Sequence, residues 1–238
     1  HGGLRGFNRR FWEVAEITAQ SIRLSYDSPD GEEGYPGNLA VRVCYMLSDD
    51  NELTWEVTAT SDAPTPVNVV HHSYWNLSGN PTQSIDDHEL TLRASRYLPT
   101  NAGQIPTGEL ASVVDTPLDF TTAKCIGERI EEDFPALEIA DGYDHAWVLD
   151  AAEEPDGLAH AARVRHPTSG RVMDVLTDQP AIHFYTGNFL DADDFTAPHP
   201  PGKNGIAYPR RSALCLETEA FPDAPNHPSF PSIILRPG

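Results

Sequence analysis

Apolar and polar residues alternate along much of this chain, and that alternation carries most of its structural information. Residues 39–47 read LAVRVCYML and residues 52–60 read ELTWEVTAT, with Leu53, Trp55, Val57 and Ala59 on one side of the repeat. A period of two puts alternate side chains on one face of a strand. Similar runs, rich in branched and aromatic residues, predict strands over 11–17, 21–26, 67–74, 88–94, 145–149, 162–166, 171–177, 182–185 and 213–218. Clusters of Gly, Pro, Asp and Asn at 27–37, 61–65, 78–86, 100–108, 167–170 and 196–205 mark the turns between them. The 21 prolines and 17 glycines leave little room for long helices. The best helical candidate is short, residues 124–133, and Gly127 interrupts it. Many short strands separated by turn signals predict an all-β fold, a sandwich or barrel of antiparallel sheet with few short helices. No repeat or linker divides the sequence, which reads as one domain over 1–238.

Composition narrows the partners. The 238 residues are 39% hydrophobic, enough for a sizeable core. A net charge of −20, with Lys124 and Lys203 as the only lysines, disfavours nucleic acid, whose phosphates would be repelled. The acids are scattered, as on a solvated surface. No run of 18 apolar residues offers a membrane span, so no membrane partner is expected. Cys44, Cys125 and Cys215 are odd in number and widely spaced, which predicts reduced thiols and a cytoplasmic protein. No charged-then-apolar leader is visible and the first residue is His1, so the sequence reads as a processed product or a fragment.

Four segments join Gly or Pro punctuation to titratable side chains: HGGLRGF at 1–7, HHSYWNLSG at 71–79, DGYDH at 141–145 and LETEAFPD at 216–223. Histidine exchanges protons near neutral pH, and a carboxylate facing it supplies the complementary base. In an extended segment His71 and His72 point to opposite faces, so only one of them serves a given cleft. Glu217 follows the apolar run 213–216, where a carboxylate must be exposed, paired or functional. Glu219 shares its face in a regular strand. Asp141 and Asp144, beside Gly142, also suit a turn. The ten histidines include no zinc spacing such as HExxH, and adjacent strand residues chelate one ion poorly, so no metal is expected. There is no GxSxG elbow and no phosphate-binding glycine loop, and no cofactor is expected.

Together these segments resemble the aldose 1-epimerase, or galactose mutarotase, family. The similarity continues through SPDGEEGYPGNL at 28–39, DHELTLRASRYLPTNAGQIPTGEL at 87–110, TPLDF at 116–120, TDQPAIHFYTGNFLD at 177–191 and LETEAFPDAPNHPSFPSIILRPG at 216–238. The resemblance implies a large antiparallel super-sandwich with a carbohydrate cleft on one sheet, and exchange of the α and β anomers of free hexoses such as glucose and galactose. It places the family's acid histidine on His72 and its base glutamate on Glu217. His1, Asp144, His183, Tyr74 and Glu219 then fall at substrate-binding positions. His71 stands where the family usually has Asn, and His183 and Glu219 stand where it has Gln. The chain begins at the HGG segment, so the resemblance places the family's N-terminal portion, with an active-site arginine, and its final strand outside this sequence. A less stable and less active protein than the full-length form is the expectation. The implied partner is a small free sugar, the implied state a monomer or dimer. A non-catalytic sugar-binding or regulatory relative and a hexose-phosphate epimerase are the alternatives; the second would want an Arg or Lys cluster for phosphate, and none stands out near the four segments.

Overall fold

A computed structural model describes residues 2–150, 157–190 and 202–237. The chain divides into two compact units, residues 1–69 with 232–238, and residues 70–231. The first unit holds a four-stranded antiparallel sheet of β1 (Glu13–Ile17), β2 (Ser21–Ser28), β3 (Leu39–Leu47) and β4 (Leu53–Ser61), in that spatial order. The alternation read from the sequence sets its register. Val41 faces Ala59, Val43 faces Val57 and Tyr45 faces Trp55, and Leu39, Val41 and Val43 form the buried centre of that face. The two-residue strand β5 (Thr65–Pro66) follows.

In the second unit the strands are β6 (Glu89–Leu92), β7 (Arg96–Tyr97), β8 (Ala111–Ser112), β9 (Lys124–Cys125), β10 (Asp144–Val148), β11 (Ala159–Arg165), β12 (Val172–Thr177), β13 (Ala181–Tyr185) and β14 (Cys215–Glu219). They form a five-stranded sheet, β14-β13-β10-β7-β8, and a four-stranded sheet, β12-β11-β6-β9, with antiparallel pairing throughout. Both sheets feed one apolar core. Trp147, Ile182, Phe184 and Leu216 come from the first, and Leu90, Leu92, Ala162 and Val164 from the second. This is a sandwich, with Phe120, Tyr143, Trp147 and Phe184 packed ring on ring at its centre. The last strand, β15 (Ile234–Leu235), belongs to the first unit and pairs with β5.

Two expectations need correction. Residues 124–133 are not a helix: they open with β9 and a 3₁₀ turn, Ile126–Glu128. Lys124 and Cys125 pair with Leu90 and Glu89, and Ile126 N–H donates to His88 O (2.9 Å) and Gly127 N–H to Asp86 O (2.8 Å), so tertiary bonds hold the opening residues out of a helical turn. The α-helix lies just beyond, α1 (Pro135–Ala140), with proline at its first position, where no N–H is required. Residues 67–74 are not a strand either. Its first N–H, that of Val67, reaches Ile233 O (2.9 Å), and just past its end Trp75 forms an isolated bridge with Leu214.

Candidate active site

The candidate residues gather on the face of the five-stranded sheet opposite the core. In β13 and β14, His183 pairs with Glu217 and Tyr185 with Cys215. On the other side of β13, Asp144 pairs with Tyr185 and Ala146 with His183. Strand alternation sends Trp147, Phe184, Ile182 and Leu216 into the core and leaves Asp144, His183, Tyr185, Cys215, Glu217 and Glu219 together on the outer face.

The HHSYWNLSG segment lies over this face. Trp75 N–H donates to Leu214 O (2.7 Å) and Leu214 N–H donates to Trp75 O (2.9 Å). Carrying that antiparallel register three residues further in each chain direction brings His72 opposite Glu217. The turn beyond is anchored by Asn76, whose Nδ2 reaches Ser212 O (2.8 Å), Gln83 O (2.9 Å) and Asn80 O (3.2 Å), and by Leu77 N–H, which donates to His88 Nε2 (3.0 Å). The Asn and Leu of the motif thus place the histidine without touching it.

DGYDH works the same way. Asp141 ends α1 in the left-handed conformation (φ 55°), and its carboxylate binds Arg210. Gly142 (φ 136°) passes so close to Asn188 that a Cβ would lie 2.5 Å from its Oδ1. Asn188 Nδ2 donates to Ala140 O (2.9 Å) and Tyr143 O (3.1 Å), tying the TGN segment to DGYDH. Tyr143 O–H donates to Pro117 O and Trp147 Nε1–H to Leu118 O, both at 3.0 Å, which accounts for TPLDF. The outcome is a fixed Asp144 at the head of β10. His145, by contrast, is buried and serves structure: its Nδ1 accepts from Asp144 N–H (3.0 Å), its Nε2–H donates to Ala136 O (3.2 Å), and burial pushes its pKa down to about 4.

His72 Nε2 lies 3.3 Å from Glu217 Oε1, and its Nδ1 lies 3.4 Å from Cys215 Sγ. Its ring stands 5.0 Å from that of Tyr74 and 6.2 Å from that of Tyr185. Burial raises the Glu217 carboxyl to about 7 and holds His72 below the ordinary histidine value. The His183 charge lowers both; Glu219 and Asp144 raise Glu217, and Asp144 raises His72. Their environments therefore bring an acid and a base of ordinarily distant pKa close together, so one proton can pass between them at little cost. His183 is the fixed charge of the site. Its Nε2 lies 2.8 Å from Asp144 Oδ1 and its Nδ1 3.3 Å from Glu219 Oε1. Burial opposes the charge, but the two carboxylates outweigh it and push the pKa up to about 10.

The aldose 1-epimerase family profile matches residues 1–238. The chain belongs to the aldose 1-epimerase family. It is 44% identical over 238 residues to human galactose mutarotase, covering all of this chain and 65% of that protein. It is 38% identical over 240 residues to aldose 1-epimerase of Escherichia coli (strain K12), covering 66% of it. The chain thus spans just under two thirds of the length of these curated relatives. Among solved structures, an aldose epimerase homologue from C. elegans superposes with a TM-score of 0.86 at 30% identity, over all of this chain and 68% of that one. Galactose 1-epimerase from Lactobacillus acidophilus gives 0.79 at 26%, over all of this chain and 65% of that one.

Of the positions that the family resemblance singles out, the structure brings six to one face: His72, Tyr74, Asp144, His183, Glu217 and Glu219. His1 lies outside the described residues. His71 turns to Ser73, its Nε2 2.8 Å from Ser73 Oγ. Two neighbours were missed from sequence, Tyr185 and Cys215. Each sits two residues from a named position, so the same strand alternation that links Glu217 to Glu219 would have found both. A second histidine cluster joins Asp87 to His88 Nδ1 (3.1 Å) and to His166 Nε2 (3.2 Å). It is a poor cation site. Leu77 N–H donates to His88 Nε2, which keeps the proton on Nδ1, the nitrogen facing Asp87.

Proposed function

We propose that this protein interconverts the α and β anomers of a free aldohexose of the glucose or galactose type, with Glu217 as base and His72 as acid. The observation that carries the reading is the 3.3 Å contact between His72 Nε2 and Glu217 Oε1 on an accessible sheet face. The anomeric hydroxyl and the ring oxygen of a pyranose are bonded to the same carbon. An enzyme that removes a proton from one and delivers a proton to the other needs its base and acid side by side. Ring opening starts with the shared proton on His72. Glu217 takes the hydroxyl proton, His72 gives its proton to the ring oxygen, and the C1–ring-oxygen bond breaks to leave the aldehyde. Rotation about C1–C2 and the reverse transfers close the ring on the opposite face and restore both groups.

The neighbours suit a neutral polyol. Asp144 and Glu219 offer carboxylate oxygens to sugar hydroxyls, and Tyr74 offers a half-exposed ring to the apolar face of a pyranose. His183 has both ring nitrogens turned to carboxylates, so its part is to hold Asp144 and Glu219 in place. His1 enters this reading on the family resemblance alone. The names of the human and Escherichia coli relatives support the reaction. The free cysteines Cys44, Cys125 and Cys215 support action in the reducing cytoplasm. Among the described residues, no helix is long and apolar enough to cross a membrane.

Polarimetry on freshly dissolved α-D-galactose and α-D-glucose tests the reading. Catalysed decay of rotation is expected, with His72→Gln and Glu217→Gln each slowing it roughly 10²- to 10⁴-fold. An undiminished rate in either variant would remove that residue from its role. Sugar binding without faster anomer exchange would favour a non-catalytic relative.

A further inference from the structure

We propose that Cys215 and His72, oriented by Glu217, form a site for one thiophilic divalent cation of the zinc class, which silences the acid/base pair when it binds. Cys215 Sγ and His72 Nδ1 stand 3.4 Å apart. With Zn–S near 2.3 Å and Zn–N near 2.0–2.1 Å, two ligands of one tetrahedral ion stand about 3.5 Å apart. The spacing therefore matches that of two ligands on one ion. The tautomer is also right. With Glu217 ionised, its Oε1 accepts the proton on His72 Nε2, which leaves the Nδ1 lone pair aimed at the thiol. A carboxylate holding the far nitrogen of a metal-bound imidazole is a recurring outer-shell arrangement.

The charge balance fits as well. The Cys215 thiol is buried, with Glu217 and Asp144 on the same sheet face. It is a thiol at neutral pH and a poor nucleophile. A cation takes the place of its proton: the S–H bond breaks, an S–metal bond forms, and one proton leaves to solvent for each ion bound. The same carboxylates that oppose a bare thiolate favour a dication beside it. Ligating atoms of His72, Cys215 and Glu217 all lie within 4.8 Å of one another, so the carboxylate stays close enough to hold the imidazole beside a bound ion. The His72 side chain is 45% exposed, which gives the ion a way in and leaves a coordination position for water. The groups facing the site are Tyr74 on the overlying segment, Asp144 on β10, His183 and Tyr185 on β13, and Glu219 on β14. Of these, the His183 imidazolium opposes a cation and is itself balanced by Asp144 and Glu219.

Cobalt(II) is the probe, because a thiolate ligand gives it a charge-transfer band in the near ultraviolet. Titrating the whole chain is expected to give that band with one equivalent bound, one proton released per ion, and displacement by zinc. The band should vanish in Cys215→Ser and in Cys215→Ala, and weaken at least 10-fold in apparent affinity in His72→Gln. It should persist in Cys44→Ser and Cys125→Ser. Absence of any thiolate–cobalt band in the parent protein overturns the proposal. So does a band that survives Cys215→Ser, or one lost with Cys44 or Cys125. The silencing rests on the anomer-exchange reading and is measured separately. Zinc should abolish exchange in the parent, while Cys215→Ser, compared with its own zinc-free rate, should need at least 10-fold more zinc. A cobalt band with no anomer exchange at any zinc level would leave the site standing and remove the function.

Discussion

Replacing His183 with glutamine tests the electrostatics of the site directly. The imidazolium sits between Asp144 and Glu219, at 2.8 and 3.3 Å, and its pKa is pushed up to about 10. A folded-state value above the ordinary 6.5 means that the cation stabilises the fold fully below pH 6.5, and that this contribution is lost as pH rises through 10. The shift corresponds to roughly 5 kcal/mol at 1.36 kcal/mol per unit; screening of a side chain that is 24% exposed trims this to about 3 kcal/mol. Loss of one member of a buried ion pair costs a similar amount, because the other member keeps its charge. Urea denaturation of the parent and His183→Gln should therefore differ by about 3 kcal/mol at pH 6, and by a small fraction of that at pH 10 or above. Adding Glu219→Gln removes one stranded carboxylate and should recover much of the loss at pH 6. The His183 charge also lowers the pKa values of Glu217 and His72, so both limbs of the kcat/KM profile in His183→Gln should move to higher pH. A stability difference independent of pH, or a double variant no better than the single one, would show that His183 is neutral in the fold and refute the argument.

Two further outcomes follow from the same geometry. Gly142→Ala places a Cβ 2.5 Å from Asn188 Oδ1 at a φ of 136°, and is expected to cost about 1–3 kcal/mol, seen as a lowered Tm. Because Asp144 lies two residues on, anomer exchange should fall with it even below that Tm. Glu217→Gln should stabilise: burial raises the parent carboxyl to about 7, so its contribution is present below the ordinary 4.5 and lost as pH rises through 7. Urea denaturation at pH 8 should find the variant more stable by up to roughly 3 kcal/mol, and equal stability there would show that the carboxylate is fully compensated.

Much of the fold was legible because its strands are half-buried. Residues 39–47 alternate in sequence and form β3 over the same span, and the apolar side of 52–60 is the side of β4 that packs on Val41, Val43 and Tyr45. Two segments misled for one physical reason. In 124–133, good helix formers lose to backbone bonds with His88 and Asp86, and in 67–74 a β-prone run carries no ladder. Propensity reports what a segment prefers alone; in 124–133 long-range hydrogen bonds override it, and in 67–74 no neighbouring strand among the described residues supplies the ladder it needs.

The site was legible one strand at a time, and its assembly was not. Alternation puts Glu217 and Glu219 on one face of β14 from sequence alone. That His183 lies beside Glu217 depends on the β13–β14 register, and that His72 lies above it depends on the single Trp75–Leu214 bridge. Residues 71 and 72 do not lie in a strand, yet their side chains part: His71 engages Ser73 and His72 engages Glu217. What sequence could not give is the charge state. A histidine beside two acids and a glutamate beside two histidines look alike as letters. Buried together, the first is held as a cation with its pKa pushed up to about 10 and the second is a carboxyl raised to about 7, and on the proposed reading this division separates the group that holds the site in place from the pair that exchanges protons.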